Sequence, residues 1–406
     1  MQAQTNNLEL ELMLACARWP QRESDRQLIW DLAQNLQDWG RFVLLTKHHR
    51  IVPLVSRNLQ AALSRGIPSR AQPAVAELKS SSANMTLRSL GLLSELRRVM
   101  VALKAAGIKV RVIKGFPLAQ QVYGDIGLRA PGDLDLLIDS GQLLPADEVI
   151  RGLGYTGLLD PRHFNRRQLA FYRTHWKDIT YTNPALGNEL DLHWRCFRNP
   201  RMPGATLCSA GSAEAVTFGN LTLDTLPRRE GLLYLCVHGA LDGWVYLKTL
   251  VDVAAQVRQS SEEELGSLAA LASEHQVLPE FSAAMLLVQR FLALDHWSSR
   301  LLPESTPSVR HILRHAWNVL ECRGFMASRE EIPIGQTLRF EWGVRRDTPY
   351  RVQILTRVLY RARMWETLPL PEWLFWAYPL LSPLEWVLFR VRKWRSNRPE
   401  LDRGNV

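Results

Sequence analysis

Hydrophobic residues recur at helical spacing through the first 106 residues, alternate with polar ones from 107 to about 226, and return to helical spacing from 229 onward. The first stretch predicts helices over 8–18, 25–39 and 51–63, then a long run over 73–105 whose Leu87, Leu90, Leu93 and Leu96 are expected in the core. Strands are predicted over 108–113, 178–182, 189–194 and 221–226, with helices over 117–123 and 142–153 between them. Beyond these, 230–241, 244–258, 262–274 and 280–292 read as helices again. This order implies an α+β fold, a small mixed-sheet core embedded in helical flanks. The expected units are an N-terminal helical region over 1–106, an α/β core over 107–226, a helical region packed on it over 227–300, and a C-terminal helical region over 301–406.

Polar positions within the alternating stretch carry the chemistry. In Gly132-Asp133-Leu134-Asp135-Leu136-Leu137-Ile138, a strand points Asp133 and Asp135 to one face and Leu134, Leu136 and Ile138 to the other. Two neighbouring carboxylates repel unless a cation lies between them, and a hard divalent ion such as Mg²⁺ suits carboxylate oxygens and substrate phosphates together. Downstream, Glu189, Asp191 and His193 share one face of Asn188-Glu189-Leu190-Asp191-Leu192-His193-Trp194. A pair of acids on one strand and a single acid on the next is the set that holds two metal ions, one activating a hydroxyl and the other organising a triphosphate. An isolated Asp-x-Asp is usually the solvated face of a surface strand. The companion acid and the turn upstream shift the balance.

That turn is Ile113-Lys114-Gly115-Phe116, between a predicted strand and a helix opened by Pro117. A glycine there lets backbone N–H groups at the helix start approach an anion, and Lys114 adds a point charge. Arg129, just before the acid strand, is a second candidate for phosphate. His238 and Asp252 lie on predicted helices whose other residues are apolar, where such groups more often complete a buried network than do chemistry. Lys248 stands one helical turn from Asp252, at the spacing that would neutralise it.

Taken in order, Ile113-Lys114-Gly115, then 123–129, the Asp133 strand, Gly154-Tyr155, the Glu189 strand and the stretch from His238 to Ala254 resemble the poorly characterised nucleotidyltransferase family of the polymerase-β-like superfamily. The resemblance implies that Asp133, Asp135 and Asp191 bind metal, with Asp191 also assisting hydroxyl deprotonation. It implies a phosphate turn at Lys114 and Gly115; Arg129 and Lys248 are read as further nucleotide-binding residues. The cofactor would be two Mg²⁺ ions, with Mn²⁺ an alternative. Many superfamily members follow the glycine with a serine that touches phosphate, and Phe116 cannot do that.

The expected activity is transfer of a nucleotidyl group from a nucleoside triphosphate to an acceptor hydroxyl, on a peptide, metabolite, sugar or RNA end, with release of pyrophosphate. The enzyme alternative is a glycosyltransferase using a nucleotide-sugar, which requires a larger sheet before the acids. The non-enzyme alternative is a silent nucleotide-binding scaffold.

Composition sets wider bounds. A 46% hydrophobic and 22% charged chain of 406 residues is ordinary for a folded protein and excludes a disordered or fibrous one. The net charge of +10 favours anionic partners without choosing among them. Five scattered cysteines lack metal-ligand spacing and no signal peptide is read, so reduced thiols in a cytoplasmic protein are expected, at most peripheral to the inner membrane face. From 368 to 394 the chain carries Trp373, Phe375, Trp376, Tyr378, Trp386, Phe389 and Trp394 among four prolines, with Arg390, Arg392, Lys393, Arg395 and Arg398 at its end. Too interrupted for a membrane span, it reads either as a hairpin on the protein's own core or as a weak membrane-surface contact.

Overall fold

The computed structural model describes residues 7–208, 213–293, 306–321 and 324–383. Five helices come first: α1 Leu8–Cys16, α2 Glu23–Asn35, α3 Trp39–His48, α4 Val52–Ala62 and α5 Gln72–Ala105. Asn7 starts α1 by accepting from the Leu10 N–H, and Asp38 starts α3 in the same way from Arg41, each satisfying an end group that the helix itself cannot bond. The sheet region follows as β1 Arg111–Val112, α6 Phe116–Tyr123, β2 Asp133–Leu137, α7 Leu143–Gly152, β3 Thr156–Gly157, α8 Arg166–His175, β4 Asp178–Asn183 and β5 Asn188–His193. A hairpin of β6 Glu214–Phe218 and β7 Leu221–Thr225 leads into α9 Arg228–Leu241, α10 Lys248–Val257, α11 Glu262–Glu274 and α12 Leu278–Leu292. The last helices are α13 Pro307–Glu321, α14 Ile334–Val344, α15 Thr348–Leu359 and α16 Ala362–Thr367.

Five strands form one mixed sheet in the order β1-β2-β5-β4-β3, with β2 and β5 parallel and the other neighbours antiparallel. The α+β reading therefore holds. Two cores sit on either side of this arrangement. One joins α1 to α4 with α6, α9, α10 and α12. The other packs the sheet, the second half of α5, and Trp365, Phe375 and Tyr378 from the C-terminal part. The aromatic inner residues of that part thus fit the core-packing reading.

Three expectations need correction. Leu87 and Leu90 on α5 are 67% and 50% exposed rather than core, and the buried face runs through Ser89, Leu92, Leu96, Val99 and Leu103. Each step of three residues turns the helix 60° short of a full circle, so four leucines spaced by three spread halfway round it. Strand 108–113 shrinks to Arg111–Val112. Cys196 and Cys208 are joined as a disulfide, whereas Cys16 and Cys236 are free and buried, so the thiols are not all reduced. Trp386, Phe389, Trp394, the basic residues from Arg390 to Arg398, and Cys322 lie outside the described residues. No helix among the described residues is long and apolar enough to cross a membrane.

Candidate active site

Parallel pairing of β2 and β5 decides which acids meet. Their register sets Asp135 opposite Asp191 and Asp133 opposite Glu189. Leu134, Leu136, Leu190 and Leu192 are buried on the other side and hold both strands in that register. The groups close enough to share one cation are Asp135, Asp191 and His193, whose ligand atoms all lie within 4.8 Å of one another. Asp133 shares their face but begins the strand and stands outside this trio, half-buried.

His193 is the residue that sequence reasoning did not single out. Alternation placed it on the acid face, yet a histidine at the end of a strand carries no signal separating a ligand from an ordinary buried side chain. Here its Nε2 lies 3.2 Å from Asp135 Oδ1, and its Nδ1 lies 3.4 Å from Lys177 Nζ and 3.6 Å from Asp178 Oδ2. Lys177 is itself paired with Asp178. Thr180, on β4, donates to Asp191 Oδ1 at 2.6 Å and fixes that carboxylate.

Lys114 is placed where the carboxylates need positive charge. Its Nζ lies 3.0 Å from Asp135 Oδ2 and 3.8 Å from Asp133 Oδ2. Burial alone would lower the lysine's pKa, but the charges of Asp135 and Asp133 hold it above the ordinary range. Burial likewise would raise Asp135, and Lys114 and His193 hold it well below the usual carboxylate range instead. Asp191 is raised by burial, opposed by its bond from Thr180.

Asp135 Oδ2 is nevertheless buried, with no well-formed hydrogen bond beside its ion pair to Lys114. A buried oxygen left with only an ion-pair neighbour has an acceptor site to spare, and a divalent cation would use it. Two carboxylates and an imidazole fit such an ion. On this observation the residues present suit a divalent cation.

The turn before α6 has the geometry that glycine alone tolerates. Gly115 sits at φ 77° and ψ −123° and leads directly into the first turn of α6, where no side chain caps the helix. Phe116 is buried, edge-on to Phe218, so only backbone N–H groups and Lys114 offer themselves to an anion here. Arg129 is buried too, with Nε 2.8 Å from Asp252 Oδ2, and Tyr123 donates to Asp252 Oδ1 at 2.8 Å. Asp252 is therefore neutralised by Arg129 rather than by Lys248, which donates instead to the Ala130 carbonyl at 2.6 Å. Burial, then the neighbouring Arg129, lowers the Lys248 pKa to about 7.

Asp133, Asp135, Asp191, His193, Lys114, Gly115, Arg129 and Lys248 border one cleft of about 2460 Å³. Ligand pockets are typically ~300–1,000 Å³, so the cleft has room for a triphosphate and a second substrate. The cleft also takes in His238, which stacks on Tyr234 and lies 3.5 Å from Asp242, itself paired with Arg329. Burial lowers His238 to about 4, so it is neutral near pH 7. The larger upstream sheet that a nucleotide-sugar enzyme requires is not present among the described residues, where α1 to α5 precede β1.

A protein family described as an uncharacterised nucleotidyltransferase matches residues 35–293, which takes in α3 to α12 and every residue of the carboxylate site. No curated protein matches the chain. No solved structure matches it either.

Proposed function

The chain belongs to this uncharacterised nucleotidyltransferase family, and from that premise we propose that it transfers a nucleotidyl group from a nucleoside triphosphate to an acceptor hydroxyl, using a divalent cation, Mg²⁺ first. The observation that carries the reading is the Asp135, Asp191 and His193 cluster, with Lys114 ion-paired to Asp135 in the cleft. When bound, the cation polarises the phosphate and stabilises negative charge as it develops.

The protein's own residues do the rest. Asp135, Asp191 and His193 would hold the ion, and Lys114, beside Asp133 and Asp135, would pair with the triphosphate. Backbone N–H groups at the start of α6 cradle that triphosphate, helped by Lys248 beside Ala130. The acceptor oxygen attacks the α-phosphorus, and its proton passes to Asp191. The bond from that phosphorus to the bridging oxygen breaks, and pyrophosphate leaves with its electron pair. Arg129 keeps the turn in place through its contact with the Gly115 carbonyl at 3.4 Å.

One observation favours the silent-scaffold reading: Lys114 already neutralises Asp133 and Asp135, as a permanent replacement for metal would. Activity separates the two. Purified protein incubated with Mg²⁺, each α-labelled triphosphate and cell extract is expected to produce a labelled product and pyrophosphate, lost at least a hundredfold in Asp135→Asn. Pyrophosphate release that is equal in Asp135→Asn, or absent from the wild type with all four nucleotides, would overturn the catalytic reading.

A further inference from the structure

The C-terminal part of the described chain sorts its apolar side chains in two directions. On the 3₁₀ turn Glu372–Ala377 and the helical residues 378–383 after it, Phe375 and Tyr378 are buried in the sheet-side core. Trp373, Trp376 and Leu380, spaced by three and four, are exposed by 70%, 56% and 68%. Such spacing puts the three on one helical face. Scattered apolar residues on a surface are ordinary, whereas two indoles and a leucine in a row mark a place that something covers.

We propose that this face docks on the surface of an anionic lipid bilayer, with Trp373 and Trp376 at the level of the headgroups. Tryptophan favours that boundary because its ring is apolar and its N–H seeks a wet partner. Basic charge accompanies the stripe. Arg166 and Arg167 are exposed at the start of α8, and the Arg167 guanidinium lies 5.3 Å from the centre of the Phe375 ring, on the turn that bears both tryptophans. Clustered lysines and arginines next to an apolar face are drawn to acidic lipid. Glu372 is the one acid on the turn itself.

A protein partner fits the stripe less well. Three side chains of roughly 150–250 Å² each offer less than the ~800 Å² per side that stable protein interfaces bury. A bilayer needs no such area from a single patch, because chain charge adds to it across the surface. Since no described helix can cross a membrane, the segment would lie on the bilayer rather than through it.

Sedimentation of the full chain with vesicles tests this, using phosphatidylcholine alone and an equal mixture with phosphatidylglycerol. Wild-type protein is expected to pellet with the mixed vesicles, at least fivefold less with phosphatidylcholine, and less again as salt rises. The triple variant Trp373→Ser, Trp376→Ser, Leu380→Ser should lose at least tenfold of that binding while keeping the wild-type melting temperature, since all three side chains are exposed. The proposal is overturned if wild-type protein pellets with neither vesicle, or if the triple variant binds as well as wild type. It is equally overturned if wild-type protein dimerises in ultracentrifugation and the triple variant does not, which would make the stripe an interface between copies of the chain.

Discussion

Asp135 is buried with one oxygen beside His193 and the other in an ion pair with the Lys114 ammonium. An ion pair of that kind neutralises the carboxylate, so Lys114 and a metal ion compete for one place. Unit charges about 4 Å apart interact by roughly 4 kcal/mol at the dielectric near a protein surface, and part-exposure of the lysine reduces this. Lys114→Met is therefore expected to raise Mn²⁺ affinity in the absence of nucleotide by at least tenfold, and to weaken triphosphate binding. Paramagnetic titration with Mn²⁺ measures both, and unchanged metal affinity would show that the lysine is not a competitor. The acids at this site were legible because alternation alone assigns a face to Asp133, Asp135 and Asp191. Neither His193 as a member of the trio nor the lodging of Lys114 between carboxylates was legible: the first depends on the register between β2 and β5, the second on how β1 and the turn after it sit against β2.

Helix α10 fixes the segment that leads into β2. Asp252, fully buried on α10, bonds Arg129 and Tyr123, so one carboxylate ties α6 and the approach to Asp133 to the helical layer. Removing one partner of a buried pair leaves the other charge stranded, at a cost of about 3–5 kcal/mol. Asp252→Ala should lose stability of that size in urea denaturation, and a change below 1 kcal/mol would mean that Arg129 finds solvent or another acid. The i,i+4 spacing pointed to Lys248 as the partner of Asp252, but burial favours the forked guanidinium, which bonds a carboxylate and a carbonyl from one position. Long elements were the readable ones: α5, α9, α11 and α12 follow their apolar period. Helix α8, with Arg-Arg-Gln-Leu-Ala-Phe-Tyr-Arg-Thr-His, and the short strand β3 carry too little period to be read, and tertiary contacts decide them. The exposed Leu87 and Leu90 show the converse error, a spacing that looks helical but does not stay on one face.

Across the whole molecule, the three most strongly shifted histidines are held neutral. Burial lowers His49 to about 3, abetted by His48, His238 to about 4 against the pull of Asp242, and His315 to about 4, abetted by His311. In the unfolded chain each takes a proton below about 6.5. The unfolded state therefore binds more protons than the folded one between that value and about 4, so the stability these groups contribute is present above 6.5 and is lost as pH falls through this window. Urea midpoints should drop from pH 7 to pH 5, by more than in His49→Gln. A midpoint that is flat or rising over that range would contradict the neutral, buried assignment. The same whole-molecule view explains the division of the sequence's information. Composition and charge described a folded, basic chain, but the sorting of Trp373, Trp376 and Leu380 away from Phe375 and Tyr378 requires the core to be in place.

The central claim is that Asp135, Asp191 and His193 hold a divalent cation that works together with a nucleoside triphosphate. Calorimetric titration of a non-hydrolysable triphosphate into the full chain, with and without Mg²⁺, tests it without knowledge of the acceptor. Mg²⁺ is expected to strengthen nucleotide binding at least tenfold in the wild type and to have no effect in Asp135→Asn, titrated below its melting temperature, which falls because buried Lys114 loses its nearest carboxylate. Nucleotide binding indifferent to Mg²⁺ in the wild type, or equally Mg²⁺-dependent in Asp135→Asn, would contradict it.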